Sequence, residues 1–322
     1  MRAFGLKTHT EPAKWGEVIK PVPESGQVRV RIVACGLNFA DLLLERGTYQ
    51  DMPALPFSLG LEAAGIIDAL GAKVTGLAPG MRVAVFGGHG GLAEFGVFDA
   101  DRVLPIPDTL EFETAAGFQI AYGTSHVALD HCARLRAGET LLVLGAAGGV
   151  GLTAVEIGKL MGARVIACAR GADKLAAAQR AGADILIDAD DGDLRQTLLD
   201  LGGADVVYDP VGGDQFTDAF RACRPGGRIL NIGFASGDVP LIKANHLLVK
   251  NISVIGFYWG GYLKFAPEVI NNSLQTLLAW QAEGRLHPHV SHILPREQAR
   301  EGLTLLKERK STGKVVIRIA DG

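Results

Sequence analysis

Cysteine, long apolar runs and an excess of one charge are all scarce in this sequence. Its four cysteines are far apart and form no C-x-x-C pair, so no disulfide framework is indicated. The most apolar stretch, residues 141–169, is interrupted by charged side chains and predicts no membrane span. A formal net charge of −3 gives no electrostatic reason to expect nucleic acid or an anionic membrane as a partner. The opening residues lack the apolar core of a signal peptide, so we expect a cytoplasmic protein with reduced thiols.

Glycine, in contrast, is abundant, with 42 residues in a chain of 322. Several glycines are clustered, as at 148–149, 212–213 and 226–227. Glycine allows tight turns and close approach of the backbone to another group. The clusters therefore suit either a long polar ligand or the many turns of a large α/β protein, and composition alone does not separate the two.

Hydrophobic patterning divides the chain into a β-rich first third and a region of alternating strands and helices. Residues 27–34 alternate apolar and polar side chains, as a half-buried strand does, and further short strands are predicted near 64–69, 81–86 and 93–98. The length favours two domains.

From about Glu111 the pattern changes to short apolar runs separated by helical stretches. This alternation predicts βαβ crossovers and a parallel sheet. The tail then predicts two amphipathic helices, near 267–283 and 296–309, and a last strand at 314–319. The predicted strands of the alternating region are 141–144, 164–168, 184–187, 205–208, 228–232 and 252–257.

A glycine-rich turn follows the first of these strands. The run GAAGGVG, residues 145–151, leads into a predicted helix that extends to Met161. A strand, glycine turn and helix start in this order bring backbone N–H groups and the positive helix end to one point, where a pyrophosphate binds well. We expect coenzyme contacts at Ala147, Gly148, Gly149 and Val150; the alternative is a tight turn without a ligand.

The next strand ends in ACARG, residues 167–171. An NAD site expects an acid there, about 20 residues after the glycine motif. The sequence instead has Arg170, with Lys174 one helical turn later, and a guanidinium can bind a 2′-phosphate bidentately. NADP(H) is therefore predicted over NAD(H), unless these two residues form only an ordinary solvated helix start.

Motifs along essentially the whole chain resemble the zinc-free quinone oxidoreductases of the medium-chain dehydrogenase/reductase superfamily, which include zeta-crystallin. The resemblance implies an α/β fold with two domains. A GroES-like β-rich catalytic domain would be formed by residues 1–122 and 257–322, and a doubly wound Rossmann domain by residues 123–256. It also implies a homodimer in which the 252–257 strands pair. The motifs are GLNFAD at 36–41, RGTY at 46–49, GLEAAG at 60–65, YGTS at 122–125, AAGGVG at 146–151, YDPVGG at 208–213, NIGFASG at 231–237 and STGK at 311–314.

The same resemblance argues against a metal. In zinc-dependent alcohol dehydrogenases, a Cys ligand stands at the position of Asn38 and a His ligand at that of Leu61, and a cysteine-rich lobe holds a structural zinc. A catalytic zinc needs about three protein ligands. Because an amide and an aliphatic side chain stand at those positions, we expect no metal site. One departure concerns the coenzyme: some relatives have a Tyr after the third coenzyme-domain strand, where this chain has Asp188.

The resemblance further implies roles for individual residues. Tyr49, whose phenol has an ordinary pKa near ~10, is the predicted hydrogen-bond donor to the substrate oxygen, or else a wall of the cleft. Asn38 and Asp41 are predicted at the cleft floor, although both also suit a helix start. The remaining coenzyme contacts implied are Thr124, Gly233, Phe234 and Phe257.

The predicted function is hydride transfer from NADPH to a quinone or another electron-poor acceptor, with the substrate entering between the two domains. One alternative is the reduction of activated alkenes such as enones, enoyl thioesters or acrylates. Another is a non-catalytic NADPH-binding protein. A methyltransferase with a similar glycine turn conflicts with the full-length resemblance.

Overall fold

The computed structural model describes residues 1–321 and divides them into two compact units. The first unit contains residues 1–120 and the chain from His289 onward, and the second contains Ala121–Pro288. No helix within the described residues is both long and apolar enough to cross a membrane.

The strands are numbered in chain order through both units. They are β1 (Arg2–Leu6), β2 (Lys14–Glu17), β3 (Gln27–Leu37), β4 (Phe57–Ser58), β5 (Glu62–Leu70), β6 (Arg82–Phe86), β7 (Phe95–Asp99), β8 (Val103–Pro105), β9 (Thr140–Leu144), β10 (Arg164–Ala169), β11 (Ile185–Asp188), β12 (Ala204–Asp209), β13 (Cys223–Asn231), β14 (Ser253–Gly256), β15 (Val290–Pro295) and β16 (Lys314–Arg318).

The α-helices are numbered in the same way. They are α1 (Phe39–Arg46), α2 (Phe112–Ala116), α3 (Gln119–His126), α4 (Gly149–Leu160), α5 (Ala172–Arg180), α6 (Leu194–Asp200), α7 (Gly213–Ala222), α8 (Ala244–Lys250), α9 (Trp259–Phe265), α10 (Pro267–Ala282) and α11 (Ala299–Lys307). A π-helical turn, Val127–Cys132, continues α3.

The first unit is built on a mainly antiparallel sheet in the order β15-β16-β3-β5-β6-β8, with β7 also paired to β3. The alternation predicted for residues 27–34 is present in β3, where Val28, Val30 and Ile32 are fully buried and Arg29 and Arg31 are partly exposed. Beyond Ile32 every residue of β3 is buried, because β5 and β16 flank this half of the strand and α2 packs against it. The strand therefore continues to Leu37, further than its alternating pattern.

The second unit has a six-stranded parallel sheet in the order β11-β10-β9-β12-β13-β14. This is the doubly wound dinucleotide-binding order. Successive strands are added outward from β9 to β11 on one side and from β12 to β14 on the other, so the strand order reverses between β9 and β12. Buried residues of β9, β10 and β12, including Leu142, Ile166 and Val207, form a core with Phe216 of α7. The structure confirms the predicted fold class of a β-rich domain with a doubly wound domain.

The boundary predicted at residue 256 differs from the division in the structure, where residues 257–288 belong to the second unit. The reason is packing between α10 and the end of α3. The Nδ1 atom of His126 lies 2.8 Å from Ser273 Oγ, and the His126 and Trp280 rings meet edge to face at 5.3 Å. These contacts attach the segment after β14 to the parallel-sheet unit.

Candidate functional site

The glycine-rich turn lies between β9 and α4, as predicted, and its helix start suits an anion. Gly148 is the N-cap of α4, no side chain caps that helix end, and no acidic residue lies in its first turn. Gly151 packs so closely that a Cβ would collide with the carbonyl oxygen of Gly145. Ala147 is buried, Gly148 is exposed, and Gly149 and Val150 are half-buried. Uncapped N–H groups and the helix dipole at this end match a phosphate in chemistry and charge.

A buried set of hydroxyl groups supports the first turn of α4. The Ser125 hydroxyl donates to the Val150 carbonyl at 2.9 Å and lies 2.8 Å from Thr153 Oγ1 and 3.0 Å from the Tyr208 hydroxyl. Thr124, a predicted coenzyme contact, precedes this serine in α3 and is itself buried. The network therefore fixes the position of α3 against the helix that follows the glycine turn.

The arginine predicted to bind a 2′-phosphate lies directly after β10, and two acidic residues at and just after the end of β11 lie near it. Arg170 Nε is 3.2 Å from Asp190 Oδ1, and both side chains are more than half exposed. The Asp188 carboxylate accepts the Gly171 N–H at 3.1 Å. Lys174 is half-buried in the first turn of α5. Arg170 and Lys174 are the residues predicted from the sequence, whereas the contacts of the two aspartates are visible only in the structure.

The remaining predicted coenzyme contacts follow β13 and β14. Gly233 is half-buried and Phe234 is 38% exposed, whereas Phe257 is buried, with its ring centroid 5.5 Å from that of Tyr262. The turn after β12 is held by Asp209, whose Oδ1 accepts the Val211 and Gly212 N–H groups at 2.7 and 2.9 Å. Burial raises the pKa of the Asp209 carboxyl.

These residues share one edge of the second unit. Gly148 follows β9, Arg170 follows β10 and Gly233 follows β13, and the three strands are parallel members of one sheet. The carboxyl ends of such strands, at the point where the strand order reverses, form the usual ligand-binding edge. The topology thus brings the glycine-rich turn, Arg170 and Gly233 to the same edge of the sheet, at the carboxyl ends of its strands.

In the first unit, the predicted floor residue Asn38 is the N-cap of α1 and its amide is held by internal partners. The Nδ2 group donates to Glu62 Oε1 at 3.0 Å and to the Gly36 carbonyl at 3.3 Å. The Oδ1 atom accepts from Lys314 Nζ at 2.7 Å. Both amide hydrogens are therefore used inside the unit, which favours a positioning role for this side chain.

Asp41 is fully buried and joins two segments of the first unit. Its carboxylate accepts the backbone N–H of Asn38 at 2.8 Å and that of Gly60 at 2.8 Å. Burial raises its pKa to about 7, against the effect of these two hydrogen bonds. Asp41 thus fixes the start of α1 to the residue before Leu61.

Lys314, at the start of β16, supplies a buried positive charge for which the sequence alone predicts no role. Its Nζ lies 2.8 Å from Glu62 Oε1 and donates to the Leu37 carbonyl at 2.8 Å. The other oxygen of the fully buried Glu62 accepts the Ile120 N–H at 3.1 Å. The STGK motif contained this lysine, but only the pairing of β16 with β3 brings its ammonium to Glu62.

Tyr49 lies in a bend after α1 and is half-buried. The helix ends at Gly47, whose left-handed φ of +71° allows the chain to turn toward that bend. The predicted donor, Tyr49, is therefore a loop residue placed just after the end of α1.

The chemistry at the two positions where zinc relatives carry ligands does not match a metal site. Asn38 presents an amide, Leu61 is a buried aliphatic side chain, and the Lys314 ammonium lies against Asn38 and Glu62. Within residues 1–321 no group of three or more His, Cys, Asp or Glu side chains is arranged to hold a metal ion.

Comparisons with known proteins agree with this architecture. Residues 24–108 match the alcohol dehydrogenase GroES-like domain, and residues 149–279 match the zinc-binding dehydrogenase domain. The quinone oxidoreductase-like protein 2 homolog of Nematostella vectensis is 40% identical over 299 residues, which cover 91% of this chain and 82% of that protein.

Two similar solved structures are quinone oxidoreductases in complex with NADPH. That of Thermus thermophilus has a TM-score of 0.86 and 31% identity, and that of Escherichia coli has a TM-score of 0.91 and 27% identity. Each match covers 99% of this chain and 100% of the other. The two matched domains and the full-length similarity define an oxidoreductase class. The chain belongs to the zinc-free quinone oxidoreductase group of the medium-chain dehydrogenase/reductase superfamily, which confirms the family predicted from its motifs.

Proposed function

We propose that this protein binds NADP(H) and reduces a quinone or another electron-poor acceptor. The observation that carries the proposal is the uncapped N-terminus of α4 after the glycine turn, on the same sheet edge as the Arg170 guanidinium. A pyrophosphate and a 2′-phosphate would meet complementary charge there. The NADPH complexes of the T. thermophilus and E. coli quinone oxidoreductases support the choice of coenzyme.

Specific residues of the second unit would hold this coenzyme. The backbone at Gly148–Val150 would bind the pyrophosphate, Arg170 and Lys174 the 2′-phosphate, and residues around Thr124, Gly233 and Phe234 the nicotinamide end. Phe257 would contribute through its backbone, because its ring packs on Tyr262. When bound, NADPH supplies the hydride.

The chain's own task is then to place the acceptor and to stabilise the negative charge that develops on its oxygen. We assign hydrogen-bond donation to the Tyr49 hydroxyl, since a preorganised donor at such an oxygen is the usual source of stabilisation. Asn38 and Asp41 act as positioning residues, because the Asn38 amide is held by Lys314 and Glu62 and the Asp41 carboxylate by two backbone N–H groups.

Acceptor preference tests this proposal. NADPH oxidation is followed with a simple para-quinone and, separately, with a small enone. Turnover of the quinone at the higher kcat/KM is expected, whereas a clear preference for the enone would assign the protein to the activated-alkene reductases. NADPH binding without turnover of either compound would contradict the proposed activity and favour a non-catalytic role.

Tyr49→Phe tests whether the Tyr49 hydroxyl contributes to turnover rather than to coenzyme binding, with kcat from the same assay and the Kd for NADPH from a titration. Loss of the hydroxyl is expected to lower kcat about 100- to 1000-fold, as for removal of one oxyanion donor, while the Kd for NADPH stays unchanged. An unchanged kcat would show that Tyr49 only forms a wall.

A further inference from the structure

The adenosine end of the proposed coenzyme site carries acidic groups that come from a different strand than the usual one. In a typical NAD site, the acid lies at the end of the strand that follows the glycine motif. Here that strand is β10, and it ends without an acid before Arg170. The next strand, β11, pairs in parallel with β10 and places Asp188 beside Ala169.

Two groups that could receive an anion at this point, the Gly171 N–H and the Arg170 guanidinium, already contact a carboxylate. The Gly171 N–H, at the N-cap of α5, donates to Asp188 Oδ2 at 3.1 Å. The Arg170 guanidinium pairs with Asp190 at 3.2 Å. A 2′-phosphate approaching Arg170 must therefore displace Asp190 or bind beside its negative charge, whereas an uncharged 2′-hydroxyl can donate a hydrogen bond to a carboxylate.

We propose that Asp190 is a specificity-determining residue that limits the preference for NADP(H) by competing with the coenzyme 2′-phosphate for Arg170. The inference rests on the proposed function and refines its coenzyme specificity. The side chains of Arg170 and Asp190 are 52% and 67% exposed, so the pair separates readily and each partner reaches a ligand from solvent. Asp188 keeps a separate role, since its carboxylate organises the backbone at Gly171 and also accepts the Asp190 N–H at 3.1 Å.

Equilibrium binding to the full chain tests the inference without relying on turnover. Isothermal titration of NADP⁺ and of NAD⁺ into the wild type and Asp190→Asn gives a ratio of dissociation constants for each protein. The substitution is expected to shift that ratio about three- to tenfold toward NADP⁺, as for removal of one exposed like charge beside a phosphate. The affinity for NAD⁺ should change by less than about twofold.

Asp191→Asn is the matched control, because it removes the same charge from the next, exposed residue. Its expected shift is less than about twofold, since among residues 1–321 the guanidinium pairs with Asp190 and not with Asp191. A double-mutant cycle with Arg170→Gln adds a second check: on that background Asp190→Asn should lose most of its effect on NADP⁺.

The possible results distinguish a failure of the role assigned to Asp190 from a failure of the proposed NADP(H)-dependent function. If both coenzymes bind and Asp190→Asn shifts the ratio no more than Asp191→Asn does, Asp190 does not determine specificity, although the protein is still a coenzyme-binding one. The same holds if the effect persists without Arg170. If neither coenzyme binds the wild type, both the proposed function and this inference are overturned.

Discussion

At the scale of single residues, Asp41 links the fold of the first unit to pH. Burial raises the pKa of its carboxyl from an unfolded value near ~4 to about 7 in the folded protein. The raised pKa means that the folded state binds this proton more tightly than the unfolded state does. The stability associated with Asp41 is therefore fully present below pH ~4 and is lost as the pH rises through about 7.

The melting temperatures of the wild type and Asp41→Asn are expected to differ by an amount that depends on pH. The amide does not titrate, so the difference in melting temperature between wild type and variant should decrease from about pH 4 to about pH 7 and then level off. Thermal unfolding in a series of buffers measures it. A difference that stays constant with pH would show that the folded carboxyl titrates near its ordinary pKa, and one that grows with pH would show a lowered pKa.

A second prediction concerns the buried ion pair between Lys314 and Glu62. Lys314→Met leaves Glu62, which is fully buried, without its cation, and removing one partner of a buried ion pair costs about 3–5 kcal/mol. Urea unfolding should show this loss in the free energy of unfolding. The double variant Glu62→Gln/Lys314→Met should recover part of it, and no recovery would argue that the loss comes from packing.

At the scale of elements, the turn between β9 and α4 has two glycines with different tasks. Gly151→Ala forces a Cβ against the Gly145 carbonyl and should lower both the melting temperature and the affinity for NADPH. Gly148→Ala places its Cβ 3.4 Å from the same oxygen at a φ of −75°, so the fold should tolerate it while the exposed methyl group hinders a bound phosphate.

Melting temperature and NADPH titration together distinguish the two variants. Gly16→Ala serves as a control, because nothing lies within 4 Å of its Cβ and it belongs to the other unit. If Gly148→Ala binds NADPH as tightly as the wild type, the phosphate does not lie at this helix start.

Elements with strong local patterns could be predicted from sequence, and those defined by distant partners could not. The runs in β9, β10 and β12 are short, apolar and bounded by turns, so their positions agree with the structure to within one or two residues. The sequence predicts no strand at β15, because this strand is only half-buried and depends on pairing with β16.

The same distinction applies to the candidate site. The glycine turn and Arg170 each lie at a strand–helix junction, between β9 and α4 and between β10 and α5, and the local sequence predicts both. Asp190 contacts Arg170 from the turn after β11, and Lys314 contacts Glu62, which lies 252 residues away in the chain. No sequence spacing indicates such pairs, because sheet order creates them.

At the scale of the whole molecule, β14 is an edge strand of the parallel sheet, paired only with β13 among the described strands. An edge strand presents unpaired backbone groups to another chain. We therefore expect the homodimer implied by the family resemblance to form through β14, with a dimeric mass in sedimentation.

Ile255→Lys, within this strand, should shift the mass toward the monomer, because a charge on an edge strand opposes pairing. Val239→Lys is the matched control, since that residue is 61% exposed and lies outside the strand. A monomeric wild type, or a dimer equally insensitive to both substitutions, would contradict an interface at β14.

The most direct test of the account is the ratio of kcat/KM for NADPH to that for NADH, measured on the wild-type protein with one quinone acceptor. If Arg170 binds the 2′-phosphate and Asp190 moderates it, turnover occurs with both coenzymes and the ratio favours NADPH, by about 10-fold or less. A ratio that favours NADH, or no turnover with either coenzyme, would contradict the claim that this protein is an NADPH-dependent reductase.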